Sequence, residues 1–485
     1  MTQPDSKAIA AQRQYALRSH NQNLGLIVPE AFVRGIRHLG YRTNVEAIAE
    51  LVDNAIQAYA ETIEIVFGHD AGGSNGKLTH LAIIDDGHGM DPMMMRFAMM
   101  WGGTHRENDR EGLGRFGYGL PCATVSMGRR FTVFSKTKGG RLHGATLDLD
   151  SISAGKIGTD GENGIPAAEP AKLPLFLRHA IRRSHPDGWR SGTVIIIEKL
   201  DRLDWSTAAG LRRNLVRQLG VAYHKLLRAT RIQVDGELVR PIDPLFLDPD
   251  ADLHNLDDDR ANALDPATIR MKGDDGGVGE VVLRYAWLPP SFAATDKARD
   301  AIGINANDRF PILKQYHGII FSRNGRLVDV QSRTPWTIFI NNDRYIRIEI
   351  EFSAALDEAF GVTTSKQQVS VSPEMWDRLR IAGLHKAIEH LRAKVRSAKA
   401  ERLAHEFAAV TVSAPTGVTR PVPTPSGIAA ADALRALLDE IECRASKADP
   451  VIQAEYRRLL CGWSERMTGN IAGSPRPGGG RPNIR

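Results

Sequence analysis

The pattern of apolar and polar residues predicts an α-helix over residues 44–58. Apolar side chains recur there at three- and four-residue spacing, as on the buried face of a helix, and Thr43 and Asn44 precede them as N-cap candidates. Glu50 and Asn54 interrupt the apolar pattern four positions apart, so both side chains project from one edge of the helix. That edge is either an ordinary solvated one or a site where a carboxylate activates water and an amide oxygen binds a hard cation.

Helices and strands alternate along the rest of the chain, which predicts an α+β protein. Periodic apolar segments predict helices at 28–40, 93–100, 120–127, 206–228 and 373–410. Alternating or short apolar segments predict strands at 62–67, 78–84, 131–135, 144–149, 192–197, 231–234, 237–239, 279–288 and 345–352, and a hairpin at 317–329. Residues 151–190 are rich in Gly, Pro and charge and predict an insertion with a solvated basic patch at Arg178, Arg182 and Arg183.

Composition indicates a soluble protein of several domains. A chain of 485 residues is expected to form two to four domains, and 42% hydrophobic with 25% charged residues is typical of globular proteins. A net charge of +6 permits contact with nucleic acid without requiring it. Cys122, Cys443 and Cys461 are odd in number and lack metal-ligand spacing, which favours a reducing compartment. No membrane-spanning run or secretion signal is recognised, so a cytoplasmic location without membrane contact is expected.

A ligand-binding turn is predicted where the strand at 78–84 runs into the sequence DDGHGM. Gly87 and Gly89 allow the backbone to turn sharply and a planar ligand to approach closely. The Asp85 carboxylate can accept a hydrogen bond from an exocyclic amine such as that of adenine, and Met90 can pack on the ring face. A tight polar turn between a strand and a helix accounts for the same residues equally well.

A glycine-rich loop precedes the predicted helix at 120–127. Gly112, Gly114 and Gly117 match the GxGxxG pattern of dinucleotide-binding proteins, but a charged loop precedes them where that motif requires a buried strand. The sequence also lacks the GxxxxGK[ST] motif of P-loop proteins. Together with Gly119, these glycines suit a loop whose amides bind phosphate groups at the start of a helix.

These features occur in a fixed order that resembles a known ATPase module. The helix with Glu50 and Asn54 is followed by the sequence DxGxG at 85–89, the glycine loop at 112–119, and Gly-Thr at 192–193 before an apolar strand. The ordered set resembles the module shared by gyrase, heat-shock chaperones, sensor histidine kinases and MutL mismatch-repair proteins, the GHKL superfamily. This resemblance implies a Bergerat fold, in which a helix layer packs on a mixed sheet, with ATP and Mg²⁺ as ligands.

The resemblance also implies a role for each motif residue. Glu50 would activate the attacking water, Asn54 would bind Mg²⁺, and Asp85 would bind adenine with support from Thr193. Further nucleotide contacts would come from the turn and the glycine loop, through Gly87, Gly89, Met90, Gly112, Gly114, Gly117 and Gly119. Histidine kinases carry Asn where this chain has Glu50. The difference favours hydrolysis over phosphoryl transfer to histidine.

A second α/β segment resembles the transducer domain of the MutL, gyrase and microrchidia (MORC) proteins. It implies a ribosomal-protein-like fold and ends in the sequence TTSKQ, where Lys366 would reach the γ-phosphate. A lysine in a turn of this kind is otherwise usually solvent-exposed. Together with the sequence GIIFSRNGRL, this segment looks most like the MORC branch, and the absence of a cysteine-rich zinc module favours a prokaryotic MORC-like protein.

The expected organisation places two α/β domains before a helical C-terminal region. In order, the segments are an N-terminal arm (1–27), an ATPase domain (28–228), a transducer domain (229–372), a helical segment (373–412), a Pro-rich linker (413–427), a small helical region (428–463) and a basic Gly/Pro-rich disordered tail (464–485). The helical segment is expected to pack on the transducer domain or on a partner.

The resemblance implies an ATP-gated homodimer that hydrolyses ATP to ADP and phosphate and uses the cycle to clamp or remodel a DNA or protein partner. Two other functions fit the same sequence. One is a DNA-associated scaffold that binds nucleotide without turnover. The other is a chaperone-like ATPase that acts on protein clients.

Overall fold

The computed structural model describes residues 12–14, 29–39, 41–69, 78–103, 117–154, 164–205, 207–255, 259–273, 276–293, 306–362 and 368–412. Its helices are α1 (Pro29–Leu39), α2 (Asn44–Gln57), α3 (Pro92–Met99), α4 (Gly119–Met127), α5 (Leu149–Ser153), α6 (Leu175–Ser184), α7 (Ala208–Ala222), α8 (Phe310–Gln315), α9 (Pro373–Ile381) and α10 (Leu384–Val412). Its strands are β1 (Thr62–His69), β2 (Leu78–Asp85), β3 (Gly128–Lys136), β4 (His143–Asp148), β5 (Glu169–Pro170), β6 (Gly192–Leu200), β7 (Arg231–Val234), β8 (Glu237–Leu238), β9 (Asn262–Lys272), β10 (Val278–Trp287), β11 (Ile319–Arg323), β12 (Arg326–Gln331) and β13 (Ile346–Phe352).

The first of two sheets is mixed. Within the described residues its eight strands follow the order β5-β4-β3-β6-β2-β1-β7-β8, in which β1 and β7 are parallel and the other neighbours antiparallel. Alternate side chains face opposite sides, as the strand period of two requires. Ile63 and Ile65 of β1 face the core that the helices α1, α2, α4 and α7 cover, whereas Val66 faces the other side. The helix layer on a mixed sheet agrees with the predicted fold class.

The opposite face of the sheet is covered by α6, which lies in the predicted insertion. Leu177 and Ile181 of this helix are buried against β1, β2 and β6. Arg183, predicted to belong to a solvated basic patch, forms an ion pair with Glu64 at 2.5 Å, and Glu64 is fully buried on β1. Arg178, Arg182 and Arg183 are nevertheless exposed, as predicted for a solvated basic patch. The Gly- and Pro-rich flanks of this segment concealed a short helix whose other side completes the core.

The second sheet has five described strands in the order β12-β11-β13-β10-β9, with β11 and β13 parallel. The helices α9 and α10 pack on it through apolar side chains such as Leu379, Ile388 and Leu391. The predicted continuous helix at 373–410 is thus two helices, which break at Gly383, where φ is +93°. Strand β9 was not predicted, because Asp265 and Pro266 interrupt its apolar alternation.

The boundary between the two sheets differs from the predicted one at 228/229. Strands β7 and β8 follow that position, but β7 pairs with β1 and β8 with β7, so this hairpin forms the edge of the first sheet. The predicted helix at 206–228 ends as α7 at Ala222, and residues Leu226–Arg228 form a 3-10 turn. None of the described helices is long and apolar enough to cross a membrane.

Candidate functional site

Helix α2 places Glu50 and Asn54 on one edge next to the first sheet. Thr43 caps the helix by accepting a hydrogen bond from the Glu46 backbone N–H at 3.2 Å, as predicted for an N-cap. The Asn44 backbone N–H donates to Asp204 Oδ2 at 2.6 Å, which fixes the start of the helix. Glu50 is only 3% exposed, whereas Asn54 is half-buried. This edge of helix α2 is therefore not an ordinary solvated one, because a carboxylate is rarely buried to this extent unless it is paired or functional.

The Asp85 turn, residues 85–90, holds its carboxylate by backbone hydrogen bonds. Asp85 Oδ1 accepts from the Gly87 N–H at 3.0 Å and from the Thr193 N–H at 3.1 Å. Burial raises the pKa of Asp85 to about 7, although these two hydrogen bonds act in the opposite direction. Because both bonds reach Oδ1, Oδ2 remains available to accept from a ligand. Thr193 contacts Asp85 through its backbone N–H.

Side chains from β3 and the segment before β6 support this turn. The Ser135 hydroxyl lies 3.0 Å from the Thr193 hydroxyl and accepts from the Met90 backbone N–H at 2.8 Å. Trp189 donates its indole N–H to the Asp85 carbonyl oxygen at 2.8 Å. Neither Ser135 nor Trp189 was predicted. Their roles depend on contacts between parts of the chain that are distant in sequence. The position of Trp189 just before Gly192-Thr193 was the sequence feature that could have indicated its role.

Two glycines allow the backbone of the turn to pack tightly. A methyl group on Gly89 would lie 2.0 Å from the Lys136 carbonyl oxygen, and φ of Gly89 is +69°. A methyl group on Gly192 would lie 2.0 Å from the Asp85 carbonyl oxygen, and φ of Gly192 is +133°. Larger residues would be excluded at both positions by contact and by backbone conformation. The sequence predicted that position 89 requires glycine, and the close contact with Lys136 and the positive φ explain this requirement.

Asp86, which follows Asp85, has a structural role. Its Oδ1 accepts from the backbone N–H groups of Glu61 and Thr62, and its Oδ2 lies 3.1 Å from His185 Nε2. Partial burial acts to raise the pKa of Asp86, but the hydrogen bonds from His185 and Thr62 outweigh it and lower the pKa. The two adjacent aspartates thus have opposite pKa shifts. Asp86 uses both carboxylate oxygens for these contacts, whereas the backbone hydrogen bonds to Asp85 both reach Oδ1.

The Asp85 turn lies at the C-terminal end of helix α2. The His88 N–H donates to the Ala58 carbonyl oxygen at 2.9 Å. Glu50 lies two turns earlier on that helix, about 12 Å along the axis at the usual helical rise. Helix α2 therefore connects the position of Glu50 to the backbone of the Asp85 turn.

The start of helix α4 lies directly beside Glu50. A methyl group on Gly119 would lie 2.1 Å from Glu50 Oε1, and Tyr118, the N-cap residue, makes no side-chain hydrogen bond to the first turn. Gly117 has φ of +69° and accepts a hydrogen bond from the Gly102 N–H at 3.0 Å. In the first turn of α4, Pro121 has no N–H and the Cys122 N–H donates to the Tyr118 carbonyl oxygen, so Gly119 and Leu120 supply the N–H groups that could bind an anion there. Gly112, Gly114 and Lys366 lie outside the described residues.

The residues present fit a nucleotide-bound magnesium ion. Among the described residues, no three His, Cys, Asp or Glu side chains cluster as a metal site. Magnesium is, however, commonly held by one protein oxygen together with substrate phosphates and water. The half-buried Asn54 supplies such an oxygen, on the same helix edge as Glu50 and one turn from it. Asn54 would hold the ion, which would supply charge neutralisation to the phosphates.

Comparison with known proteins agrees with this geometry. A family model described as histidine kinase-, DNA gyrase B- and HSP90-like ATPase matches residues 41–164. Protein MICRORCHIDIA 6 of Arabidopsis thaliana is 36% identical over 90 residues, which cover 19% of this chain and 13% of that protein. Protein MICRORCHIDIA 7 of the same organism is 29% identical over 119 residues, or 24% of this chain and 17% of that protein.

The matched segment includes helix α2, the Asp85 turn and helix α4. The matches span less than a fifth of the length of these curated relatives. The predicted recognition is confirmed to this extent: residues 41–164 match a histidine kinase-, DNA gyrase B- and HSP90-like ATPase domain, and part of the chain is similar to microrchidia proteins.

Proposed function

We propose that the protein binds ATP between the Asp85 turn and helix α2 and hydrolyses it to ADP and phosphate. The observation that carries this proposal is the burial of two carboxylates, Asp85 in a turn that contacts the end of helix α2 and Glu50 on that helix beside the start of helix α4. The first suits an exocyclic amine and the second a reacting water. The match to an ATPase family over this same segment supports the assignment.

Asp85 would recognise adenine through its second oxygen. In its ionised form, Oδ2 accepts a hydrogen bond from the exocyclic amine, while Oδ1 stays bound to the backbone of Gly87 and Thr193. Met90, held by Ser135, lies beside the same pocket and would pack on the base. The carboxylate is already oriented in the absence of ligand, so little conformational entropy is lost on binding.

Glu50 would act as the general base for water attack on the γ-phosphate. Its carboxylate lies next to Gly119 at the start of helix α4, where the proposal puts the phosphates. The position lets Glu50 accept the proton of a water molecule that is aligned with the terminal phosphate. The helix amides would stabilise the charge of the phosphates. Lys366 of the second domain is proposed to contact the γ-phosphate.

Phosphate release from ATP tests this assignment. Glu50→Gln should retain ATP binding and lower the rate of phosphate release by about 10³-fold, because the amide cannot accept the proton. Glu46→Gln is the matched control, since Glu46 lies one turn earlier on the same helix and pairs with Arg42. Its turnover should stay near the wild-type value. Turnover that survives in Glu50→Gln would contradict the proposed role and would leave a nucleotide-binding scaffold.

We propose further that ATP binding closes two copies of the chain into a dimer, which clamps or remodels a DNA or protein partner. Molecular mass in solution should double with a non-hydrolysable ATP analogue and not with ADP. Binding to DNA, if it is part of the function, should weaken steeply with salt, as expected for phosphate contacts. An unchanged mass with the analogue would contradict the clamp.

A further inference from the structure

A buried ion pair connects the second sheet to helix α2. Arg326 begins strand β12, and its Nε lies 2.8 Å from Asp53 Oδ1 on helix α2. The two side chains are only 3% and 0% exposed. Burying both charges is costly unless they remain paired, and removal of one partner leaves the other uncompensated. The conformation of helix α2 around Asp53 therefore depends on a residue of the second sheet.

Tyr223 is the third member of this cluster. Its hydroxyl lies 2.7 Å from Asp53 Oδ1 and 2.7 Å from the Ala49 carbonyl oxygen, and Arg326 Nε lies 3.3 Å from it. The guanidinium carbon of Arg326 is 5.6 Å from the centroid of the tyrosine ring. Tyr223 is fully buried at the end of helix α7. The hydroxyl thus links the backbone of helix α2 at Ala49 to the Arg326–Asp53 pair.

Asp53 lies on helix α2 close to Glu50 and Asn54, so this cluster can affect the position of both residues. Asp53 directly precedes Asn54 and follows Glu50 by three residues, so it lies within the same helical turn as both. A shift of about 1 Å at a reacting group can lower a rate by about 10²-fold. A contact that fixes Asp53 therefore also fixes the residues proposed to activate water and to bind the cation.

The turn between β11 and β12 places Arg326 against the first domain. A methyl group on Gly325 would lie 3.5 Å from Leu226 and 3.7 Å from the Lys225 Cβ. Lys225 in turn pairs with Glu349 at 2.6 Å and with Glu351 at 3.0 Å on strand β13. The ion pairs of Lys225 and of Arg326 thus hold the same part of the second sheet against the end of helix α7 and against helix α2.

We propose that Arg326 is a positioning residue for hydrolysis. This proposal rests on the proposed ATPase function. It holds Asp53 so that Glu50 and Asn54 keep their productive geometry. Docking of the second sheet through Arg326 thereby activates a base that lies on the first domain. Arg326 contacts neither the nucleotide nor the reacting water in this account.

The pKa of Arg326 agrees with this pairing. Burial acts to lower it, but attraction to Asp53, Tyr223 and Glu50 outweighs burial and raises the pKa well above its usual value. Arg326 therefore remains charged in its buried position and can hold Asp53 as an ion pair.

A matched pair of arginine variants tests the proposal. Arg323 lies at the other side of the same turn and is equally buried, but it pairs with Asp357 inside the second domain at 2.6 and 2.7 Å. Arg326→Met should lower kcat for ATP hydrolysis by about 30-fold or more while KM for ATP stays within about threefold. Arg323→Met should lower Tm to a similar extent and leave kcat within about twofold.

Three further variants distinguish a positioning role of Arg326 from general destabilisation. Arg326→Lys restores a charge without the planar guanidinium and should recover part of the lost kcat. Asp53→Asn should reproduce the loss of kcat, and the double variant Arg326→Met/Asp53→Asn should lose no more than either single variant. If Arg326→Met fails to fold, Arg326→Lys and Asp53→Asn carry the comparison with Arg323→Met.

The possible results separate the two proposals. If wild-type protein shows no Glu50-dependent phosphate release, the proposed function fails and the positioning role falls with it. If turnover is present but the Arg326 and Asp53 variants keep kcat within about twofold of wild type, only the positioning role is overturned. An equal loss of kcat in Arg323→Met would also overturn it, since the effect would then be general destabilisation.

Discussion

The Asp85 turn and the edge of helix α2 hold their carboxylates by different means. Asp85 is fixed by backbone N–H groups of Gly87 and Thr193, all within the first sheet and its turns. Glu50 belongs to a helix whose next charged residue, Asp53, is paired with Arg326 of the second sheet. The proposed adenine end is therefore held within the first sheet and its turns, whereas the helix that carries Glu50 also contacts the second sheet.

This difference suggests how binding and turnover can be regulated separately. An adenine pocket that is formed in advance allows nucleotide to bind irrespective of the second sheet. A catalytic edge that requires Arg326, and a lysine from the same domain, would act only when the two domains are docked. Such an arrangement suits a slow ATP-gated switch, in which domain movement and hydrolysis are coupled.

The largest expected effect is a loss of ATP affinity when Asp85 at the proposed adenine end is replaced. Asp85→Asn can keep the hydrogen bonds to Gly87 and Thr193 through its amide oxygen, but it would direct an N–H₂ group at the exocyclic amine of adenine. Two facing donors cannot pair, so ATP affinity measured by calorimetry should fall by about 10³-fold or more.

The neighbouring aspartate provides the control for this loss. Asp86→Asn removes a charge that pairs with His185 and two backbone N–H groups, all outside the pocket. Its ATP affinity should remain within about threefold of wild type even if Tm falls. Retained ATP binding in Asp85→Asn would move the adenine site elsewhere.

A second effect concerns the stability of the nucleotide-free protein. The pKa of Asp85 is raised from 3.8 to about 7 by burial, so the wild type loses stability as pH rises from about 4 through 7 while Asp85 ionises. Asp85→Asn does not ionise. The variant should therefore gain roughly 3 kcal/mol relative to wild type between pH 5 and pH 8.

Denaturant unfolding at the two pH values measures this gain. The difference in free energy of unfolding should level off above the folded pKa, because Asp85 is then fully ionised. A difference that does not change with pH would show that the carboxyl group titrates normally and is not buried in the unliganded protein.

The smallest expected effect is a slower release of phosphate when Lys366, proposed to contact the γ-phosphate, is replaced. Lys366→Ala should slow phosphate release by about 10–100-fold and leave ADP affinity within about twofold, because its ammonium group is proposed to contact only the γ-phosphate. Lys314→Ala, at an exposed position on helix α8 of the same domain, should leave both values unchanged. An equal loss of ATP and ADP affinity in Lys366→Ala would contradict a γ-phosphate contact.

The features predicted best from the sequence are those that depend on local chemistry. Helix α2 was predicted to within one residue, with its cap at Thr43, because its apolar period and capping residues agree. The turn at Asp85 was predicted because alternating glycines directly after a strand are typical of a sharp change in backbone direction. The positions of Gly112, Gly114 and Lys366 remain predictions.

The features that were missed depend on contacts across the fold. Helix α6 was not predicted, since its Gly- and Pro-rich surroundings mask a short apolar period. Arg326 follows an ordinary Asn-Gly turn, and nothing local to it indicates an aspartate on a helix far earlier in the chain. Ser135 and Trp189 likewise gain their roles only when β3 and β6 meet beside the Asp85 turn.

A crystal structure with a non-hydrolysable ATP analogue and Mg²⁺ would locate the nucleotide. The exocyclic amine of adenine should lie within hydrogen-bond distance of Asp85 Oδ2, with the γ-phosphate beside Glu50 and the start of helix α4. Nucleotide density at any other place on the protein would contradict this prediction.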